Sequence, residues 1–71
     1  EDISQQIVDF ISSQLNLYSV YERTLTREHL IDGKSFSEIG REYKVNRRYI
    51  SETITPVKNQ LLIEIKKRWN I

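Results

Sequence analysis

The 71-residue chain is predicted to fold as a small all-α bundle of four to five helices. Three observations predict this class. Apolar residues recur at three- and four-residue steps through most of the chain, and residues suited to helix capping precede several of these segments. Length is the third, because about 70 residues support one domain with a modest core. Residues 1–71 are therefore expected to form a single domain, and a fragment of a longer protein, since the chain starts at Glu1 and has no methionine.

Composition argues against several kinds of site. The chain has no cysteine and only one histidine, His29, so it offers neither a disulfide nor a thiolate metal centre. The sequence also has no glycine-rich phosphate loop, no cysteine nucleophile and no histidine with an evident acid partner, and we expect no catalytic residue, metal or cofactor. The longest apolar run covers residues 61–63, which is too short to cross a membrane. With no signal-peptide pattern, a cytoplasmic location is expected.

Charge is divided unevenly between the two halves of the chain, although the net charge is only +1. Residues 1–33 carry six acids against two bases, giving −4, and residues 34–71 carry nine bases against four acids, giving +5. A basic half can meet phosphate while an acidic half faces solvent or a basic protein. The second half is therefore where a nucleic-acid contact is expected.

Two helices are predicted in the acidic half. The first covers about residues 3–16, where the apolar residues have helical spacing: Ile3, Ile7, Phe10, Ile11 and Leu15. A second set containing Tyr21, Leu25 and Leu30 predicts a helix over about residues 19–32, with Gly33 as its stop signal. His29 is interpreted as a surface or half-buried residue of this helix. Glu28 and Asp32 lie four residues apart and are expected at an exposed helix end.

Two further helices are predicted from capping residues. Ser35 and Glu38 have the Ser-x-x-Glu spacing of a capping box, which starts a helix at about Phe36. Asn46 is a favoured N-cap and starts the next helix at Arg47. The residues Lys44, Val45 and Asn46 form the break between the two helices.

The spacing of small and apolar residues across this break is that of a helix-turn-helix. The pattern consists of Gly40, Tyr43, Val45, Ile50 and Ile54. Two short helices that cross steeply need a small residue at their contact, an apolar residue in the turn, and an apolar stripe that seats both on another helix. Lys44 stands where many such motifs have a glycine with positive φ, which predicts a slightly different turn.

The last helix is predicted over about residues 56–69. Thr55-Pro56 interrupts the pattern, and proline either kinks a helix or starts a new one, in this case with Thr55 as its cap. The apolar face is expected to contain Val57, Leu61, Leu62, Ile65 and Trp69. The basic residues near its end suit the helix dipole.

If the motif binds double-stranded DNA, a recognition helix over about residues 47–55 lies in the major groove. Arg47 and Arg48 are then candidates for contacts with guanine and phosphate. Glu52 is a candidate acceptor from cytosine, or a partner of Arg48 within the helix. The other candidate contact residues are Arg41, Lys44, Asn46, Tyr49, Ser51 and Thr55.

Residues 21–68 resemble the fourth conserved region of the bacterial RNA polymerase sigma factors. The segments LIDGKSFSEIG and KVNRRYISETI are similar to the helix, turn and recognition helix of that family, and VKNQLLIEIKKR is similar to its basic tail. The resemblance implies promoter recognition, with Arg47, Arg48, Ser51 and Glu52 at the positions that read the minus-35 element. It also implies contact with RNA polymerase, at the flap of the β subunit. A phage transcription regulator of similar build is equally compatible.

Two other functional classes remain open. The chain is also consistent with a DNA-targeting module of a recombinase or of a small terminase subunit. The third interpretation is a helix-turn-helix used only for protein–protein interaction, which the acidic first helix favours. Exposure of the stripe formed by Ile3, Ile7 and Ile11 would favour it further, because an uncovered apolar stripe usually marks a partner.

Overall fold

The computed structural model describes residues 3–70 and has four α-helices in this part of the chain. They are α1 (Ile3–Leu15), α2 (Val20–Leu30), α3 (Phe36–Tyr43) and α4 (Arg47–Trp69). The described residues contain no strand, so the predicted all-α bundle is confirmed, with four helices. The bundle measures 39 × 20 × 20 Å, and its long axis reflects α4, which spans about 34 Å at 1.5 Å per residue. None of the four helices is both long enough and apolar enough to cross a bilayer.

α2 begins with a second capping box, which was not predicted. The Ser19 hydroxyl accepts a hydrogen bond from the Glu22 amide, and the Glu22 carboxylate accepts one from the Ser19 amide. These reciprocal bonds satisfy two amides that have no helical carbonyl within reach. Because the spacing is the same Ser-x-x-Glu as at Ser35, the start of α2 was readable from the sequence.

α2 ends at Leu30, slightly before the predicted end near residue 32. Gly33 lies in the loop that follows and has a φ of 77°, a backbone conformation that glycine adopts readily. The chain turns there, and the Lys34 amide donates to the Glu28 carbonyl at 3.0 Å. Gly33 therefore shapes the connection to α3.

The predicted capping box of α3 is confirmed. The Glu38 amide donates to the Ser35 hydroxyl at 3.1 Å, and the Ser35 amide donates to the Glu38 carboxylate at 3.1 Å. The bonds with the backbone and then the side chain of Ser35 lower the pKa of the Glu38 carboxyl below its ordinary value, because they favour its charged form. This cap sets where α3 begins.

The turn between α3 and α4 contains Lys44, Val45 and Asn46. Lys44 has a φ of 57° and a ψ of 44°, which is the left-handed conformation usually reserved for glycine. The prediction that a lysine would alter this turn is therefore wrong. The Val45 amide donates to the Gly40 carbonyl at 2.8 Å and closes the turn, so the lysine adopts a backbone conformation that the surrounding structure imposes.

We expect Lys44→Gly to raise the free energy of unfolding by about 0.5–1 kcal/mol. A left-handed conformation costs a lysine roughly 1–2 kcal/mol, and glycine avoids this, although its greater freedom in the unfolded chain offsets part of the gain. Urea denaturation followed by circular dichroism measures the change. Gly33→Ala is the matched opposite, because a Cβ at Gly33 would meet no atom within 4 Å and only the backbone is strained. It should destabilise by about 1 kcal/mol. A Lys44→Gly variant that is no more stable than the parent would show that the left-handed backbone conformation of Lys44 is not strained.

α4 is one helix from Arg47 to Trp69, with Pro56 in its interior. The alternative of a fresh start at Pro56 is wrong, and Thr55 is a helical residue, not a cap. Proline removes one hydrogen bond of the helix. The helix continues across it because Ile54 and Val57, the apolar residues on either side, are both buried in the core.

The core consists of two apolar clusters that share α4. The turn cluster contains residues from α2, α3 and the first half of α4: Leu25, Ile39, Ile50 and Ile54, with Phe36 and Val45 packed against it. The α1 cluster joins α1 to the second half of α4 and contains Ile11, Leu15, Val57, Leu61 and Ile65. The turn cluster therefore holds the N-terminal half of α4, and the α1 cluster holds its C-terminal half.

Several residues of the predicted apolar stripes lie at the surface instead. Between 40% and 51% of the residue surface is exposed in Ile3, Tyr21, Tyr43 and Leu62. Periodicity predicts which face of a helix is buried, but not how far the neighbouring helix covers that face. Trp69 lies half-buried at the edge of the α1 cluster, where its ring meets the Phe10 ring edge-on at a centroid distance of 5.5 Å.

Glu28, expected at an exposed helix end, is buried between α2 and α3. Its carboxylate accepts hydrogen bonds from Lys34 Nζ at 2.8 Å and from the Tyr43 hydroxyl. Lys34 also pairs with Glu42 at 2.9 Å. Burial raises the pKa of the Glu28 carboxyl, but the bonds from Lys34 and Tyr43 outweigh it and the net pKa lies below its ordinary value. This network ties α2 to α3 and explains why Tyr43 is not part of the apolar core.

Candidate nucleic-acid interface

An open cleft of about 470 Å³ lies where α3, the turn and α4 meet. The residues that line it are Ser37, Gly40, Arg41, Lys44, Val45 and Arg47. Three of the predicted DNA contacts are brought together here, namely Arg41 from α3, Lys44 from the turn and Arg47 from α4. The cleft therefore presents three cations beside the first turn of α4. Ser37 was not predicted, since only the folded chain places it next to the turn.

Gly40 allows α3 and the start of α4 to approach closely enough to form this cleft. A Cβ atom at Gly40 would lie 2.8 Å from the Val45 carbonyl oxygen and 3.5 Å from the backbone of Arg47. The first distance is shorter than a van der Waals contact, and the clashing atom belongs to the backbone. Any side chain at this position would have to push the turn away from α3.

Asn46 has a structural role at the start of α4. Its side-chain oxygen accepts a hydrogen bond from the Arg48 amide at 2.8 Å, as predicted for an N-cap. The Asn46 NH₂ group has no helical role and is the part of the side chain with donors to offer a ligand.

The outer face of α4 presents three of the predicted residues to solvent. Ile50 faces the core, and at about 100° per residue the opposite side of the helix carries Arg48, Glu52 and Thr55. Arg48 Nε lies 3.1 Å from Glu52 Oε1, and the two side chains are 84% and 64% exposed. The predicted pair between Arg48 and Glu52 therefore exists. Exposed pairs contribute little to stability, so these two side chains can separate for other partners.

The two flanks of α4 differ in character. The same helical geometry places Arg47 and Ser51 on the flank that faces α3, in agreement with Arg47 lining the cleft. Tyr49 lies on the opposite flank, where its ring approaches that of Tyr21 from α2 at a centroid distance of 6.1 Å. Tyr49 was a predicted contact residue, whereas Tyr21 was interpreted as part of an apolar stripe. The sequence did not predict Tyr21 as a contact residue, because its neighbour Tyr49 is distant in sequence.

His29, the only histidine, is used within the fold. Its Nδ1 lies 2.8 Å from the Lys34 carbonyl oxygen, and because a carbonyl only accepts, Nδ1 carries the proton and donates. Nε2 then accepts from Lys58 Nζ at 3.4 Å. The ring also stacks on Phe36 at a centroid distance of 4.4 Å. His29 is half-buried, one of the two placements predicted for it.

No group of three histidine, aspartate or glutamate side chains in residues 3–70 lies close enough together to hold a metal ion. The surface around α4 offers cations in the cleft, an exposed arginine and carboxylate on the outer face, and two phenols on the far flank.

Comparisons of the chain with protein-family models, with curated proteins and with solved structures found no match.

Proposed function

We propose that the chain binds double-stranded DNA through a helix-turn-helix formed by α3, the turn and α4. The observation that carries the proposal is the convergence of Arg41, Lys44 and Arg47 on one cleft beside the first turn of α4. Clustered cations that neutralise phosphates supply much of the affinity of DNA-binding proteins. A helix flanked in this way can enter the major groove with its first turns.

The exposed outer face of α4 supports sequence readout. Arg48 has the donor geometry for two hydrogen bonds to guanine, and Glu52 is a potential acceptor from the cytosine amine. Arg47 and Arg48 also lie at the positive end of the α4 dipole, where cations are slightly unfavourable. Two cations at such a position are consistent with a partner that is an anion.

A role in transcription is the finer part of the proposal and rests on the sequence resemblance to the fourth conserved region of sigma factors. In that role α4 reads promoter DNA, and the helices before the motif contact RNA polymerase. A phage regulator and the DNA-targeting module of a recombinase or terminase use the same kind of surface on DNA. They differ in the other parts of their chains.

The alternative of a pure protein-interaction domain receives little support from α1. Ile3 is 51% exposed, but Ile11 belongs to the α1 cluster and Ile7 is half-buried against it. The stripe is therefore covered by α4 along most of its length, and the condition that would favour this alternative is not met.

The test is fluorescence anisotropy with a labelled random-sequence duplex over a range of salt concentrations. We expect the Arg47→Ala/Arg48→Ala variant to bind at least roughly tenfold more weakly at moderate salt. The slope of log K against log salt should become shallower by about 0.9, the value for the loss of one phosphate contact, that of Arg47. Contacts to bases would lower affinity with a smaller change in slope.

Lys66→Ala/Lys67→Ala is the matched control, because it removes the same charge from exposed positions about 29 Å away along α4. We expect it to change affinity much less than the arginine variant. An equal loss of affinity in both variants would show that the chain binds DNA through its overall charge and not through the surface around Arg47 and Arg48. Failure of the parent chain to bind at low salt, with its helical circular dichroism intact, would contradict DNA binding.

A further inference from the structure

Tyr21 and Tyr49 form an aromatic pair at the surface, beside the N-terminal end of α4. Their ring centroids lie 6.1 Å apart, and the two residues are 41% and 49% exposed. Tyr21 comes from the first turn of α2 and Tyr49 from the first turn of α4. Two phenols thus project from different helices at the end of the bundle that carries the cationic cleft.

The pair lies on the opposite flank of α4 from that cleft. Arg47 lines the cleft on the α3 side, and Tyr49, two residues further along, is rotated by about 200° around the helix axis. Its contact with Tyr21 identifies that flank as the side that faces α2. α4 is therefore bordered by cations on one flank and by tyrosines on the other.

The major groove is narrow enough that both flanks of an inserted helix lie close to the DNA backbone. The groove is about 12 Å wide, and a helix with its side chains measures about 10–12 Å. A helix that fills the groove has one flank against each sugar–phosphate strand. If the cationic cleft meets the strand on one side, the flank with Tyr21 and Tyr49 faces the other.

We infer that the hydroxyls of Tyr21 and Tyr49 bind backbone phosphates of the second DNA strand, so that α2 as well as α3 holds the recognition helix in the groove. This inference rests on the proposed function and extends the interface to a helix outside the α3–turn–α4 unit. Tyrosine hydroxyls are established donors to phosphate oxygens in protein–DNA complexes. Because they are neutral, they fix position without releasing additional counterions.

The ionisation state of Tyr21 suits this role. Partial burial, followed by the charge interaction and the hydrogen bond with the neighbouring Tyr49, raises the pKa of the Tyr21 phenol above its ordinary value. The phenol therefore keeps its proton at neutral pH, and on DNA a phosphate oxygen would replace Tyr49 as its hydrogen-bond partner.

The test compares Tyr21→Phe, Tyr49→Phe and the double variant with the parent chain in the same anisotropy titrations. Each substitution removes one oxygen atom and keeps the ring, so the helix contacts remain. We expect each single variant to bind about threefold to tenfold more weakly, as for the loss of one hydrogen bond, with an unchanged salt slope. Tyr18→Phe is the matched control, because Tyr18 packs against the α1 cluster. This variant should bind DNA like the parent.

The outcomes separate this inference from the proposed function. Parent-like affinity of the double tyrosine variant, while Arg47→Ala/Arg48→Ala weakens binding, would overturn the inference and leave DNA binding intact. Loss of affinity accompanied by a lower salt slope would also overturn it, because a neutral donor does not change the number of released ions. Failure of the parent chain to bind any duplex would overturn the proposed function itself, together with the inference.

Discussion

Gly40→Val is expected to lower the free energy of unfolding by about 3 kcal/mol. The first atom of the new side chain would lie 2.8 Å from the Val45 carbonyl oxygen, and two further methyl groups add to the crowding. Overpacking of this kind typically costs about 1–3 kcal/mol and occasionally more. A domain of this size has a total stability of roughly 4–10 kcal/mol. The substitution should therefore remove a large fraction of the total free energy of unfolding of this small domain, which has no disulfide.

Urea denaturation measures this loss, with Gly40→Ala as an intermediate step. Ser37→Val is the control, because it places the same β-branched side chain one turn earlier on α3 at an exposed position and should change stability by less than about 1 kcal/mol. Gly40→Val should also weaken DNA binding at concentrations where it remains folded, since α3 and α4 can no longer approach. A Gly40→Val variant as stable as Ser37→Val would contradict the tight contact between α3 and the turn.

Glu28→Gln is expected to destabilise the domain by about 2 kcal/mol at pH 7. The carboxylate is buried and accepts charge-assisted hydrogen bonds from Lys34 and Tyr43, which contribute about 1.5–3 kcal/mol. Glutamine keeps the size of the side chain but not its charge. Chemical denaturation of both chains at pH 7 measures the difference. Glu64→Gln, the same change on α4 outside the network, should stay within about 0.5 kcal/mol of the parent.

The difference in the free energy of unfolding between the parent and Glu28→Gln should become smaller at acidic pH. The pKa of Glu28 is lower in the folded chain than its ordinary value of 4.5. A depressed pKa stabilises the fold above the unfolded pKa, and this contribution is lost as pH falls through the folded pKa. The parent should therefore lose stability from about pH 4.5 downward, and Glu28→Gln should lose less, because it has no carboxyl at this position. If the difference in the free energy of unfolding stays constant down to pH 3, the charged Glu28 carboxylate does not stabilise the fold.

The starts of α3 and α4 were predictable because they depend on local signals. Ser35 with Glu38 and Asn46 with Arg48 form caps within two or three residues of each other, so neighbouring residues alone specify them. The buried positions Leu25, Ile50 and Ile54 follow from helical spacing in the same way. Four helices and the buried side of the middle ones thus follow from the order of the amino acids.

The remaining features depend on contacts between distant residues, which spacing does not encode. Burial of Glu28 depends on Tyr43, fifteen residues away, so the sequence alone suggested an exposed acid. Lys44 adopts a glycine-like conformation because the Val45–Gly40 bond closes the turn around it. Pro56 remains within a helix because residues on both sides are buried against other helices. Each error comes from tertiary contacts that outweigh a local preference.

The candidate site divides in the same way. Arg41, Lys44, Arg47 and Arg48 were predicted as contacts from the position of the motif, and the first three line one cleft. Tyr21 was missed because its proximity to Tyr49 spans 28 residues. A pattern on one helix cannot indicate which residue of another helix lies beside it.

Pro56 lies at the point where α4 passes from the turn cluster to the α1 cluster. Proline has no amide, so the carbonyl of Glu52 loses its helical donor, and the hydrogen-bond ladder is weakest where one cluster gives way to the other. The first segment is held by the turn cluster and the second by the α1 cluster. Such a boundary separates two units of local unfolding. We therefore expect amide hydrogen exchange to be faster at the end of α4 with Trp69 and in α1 than in the segment beginning at Arg47.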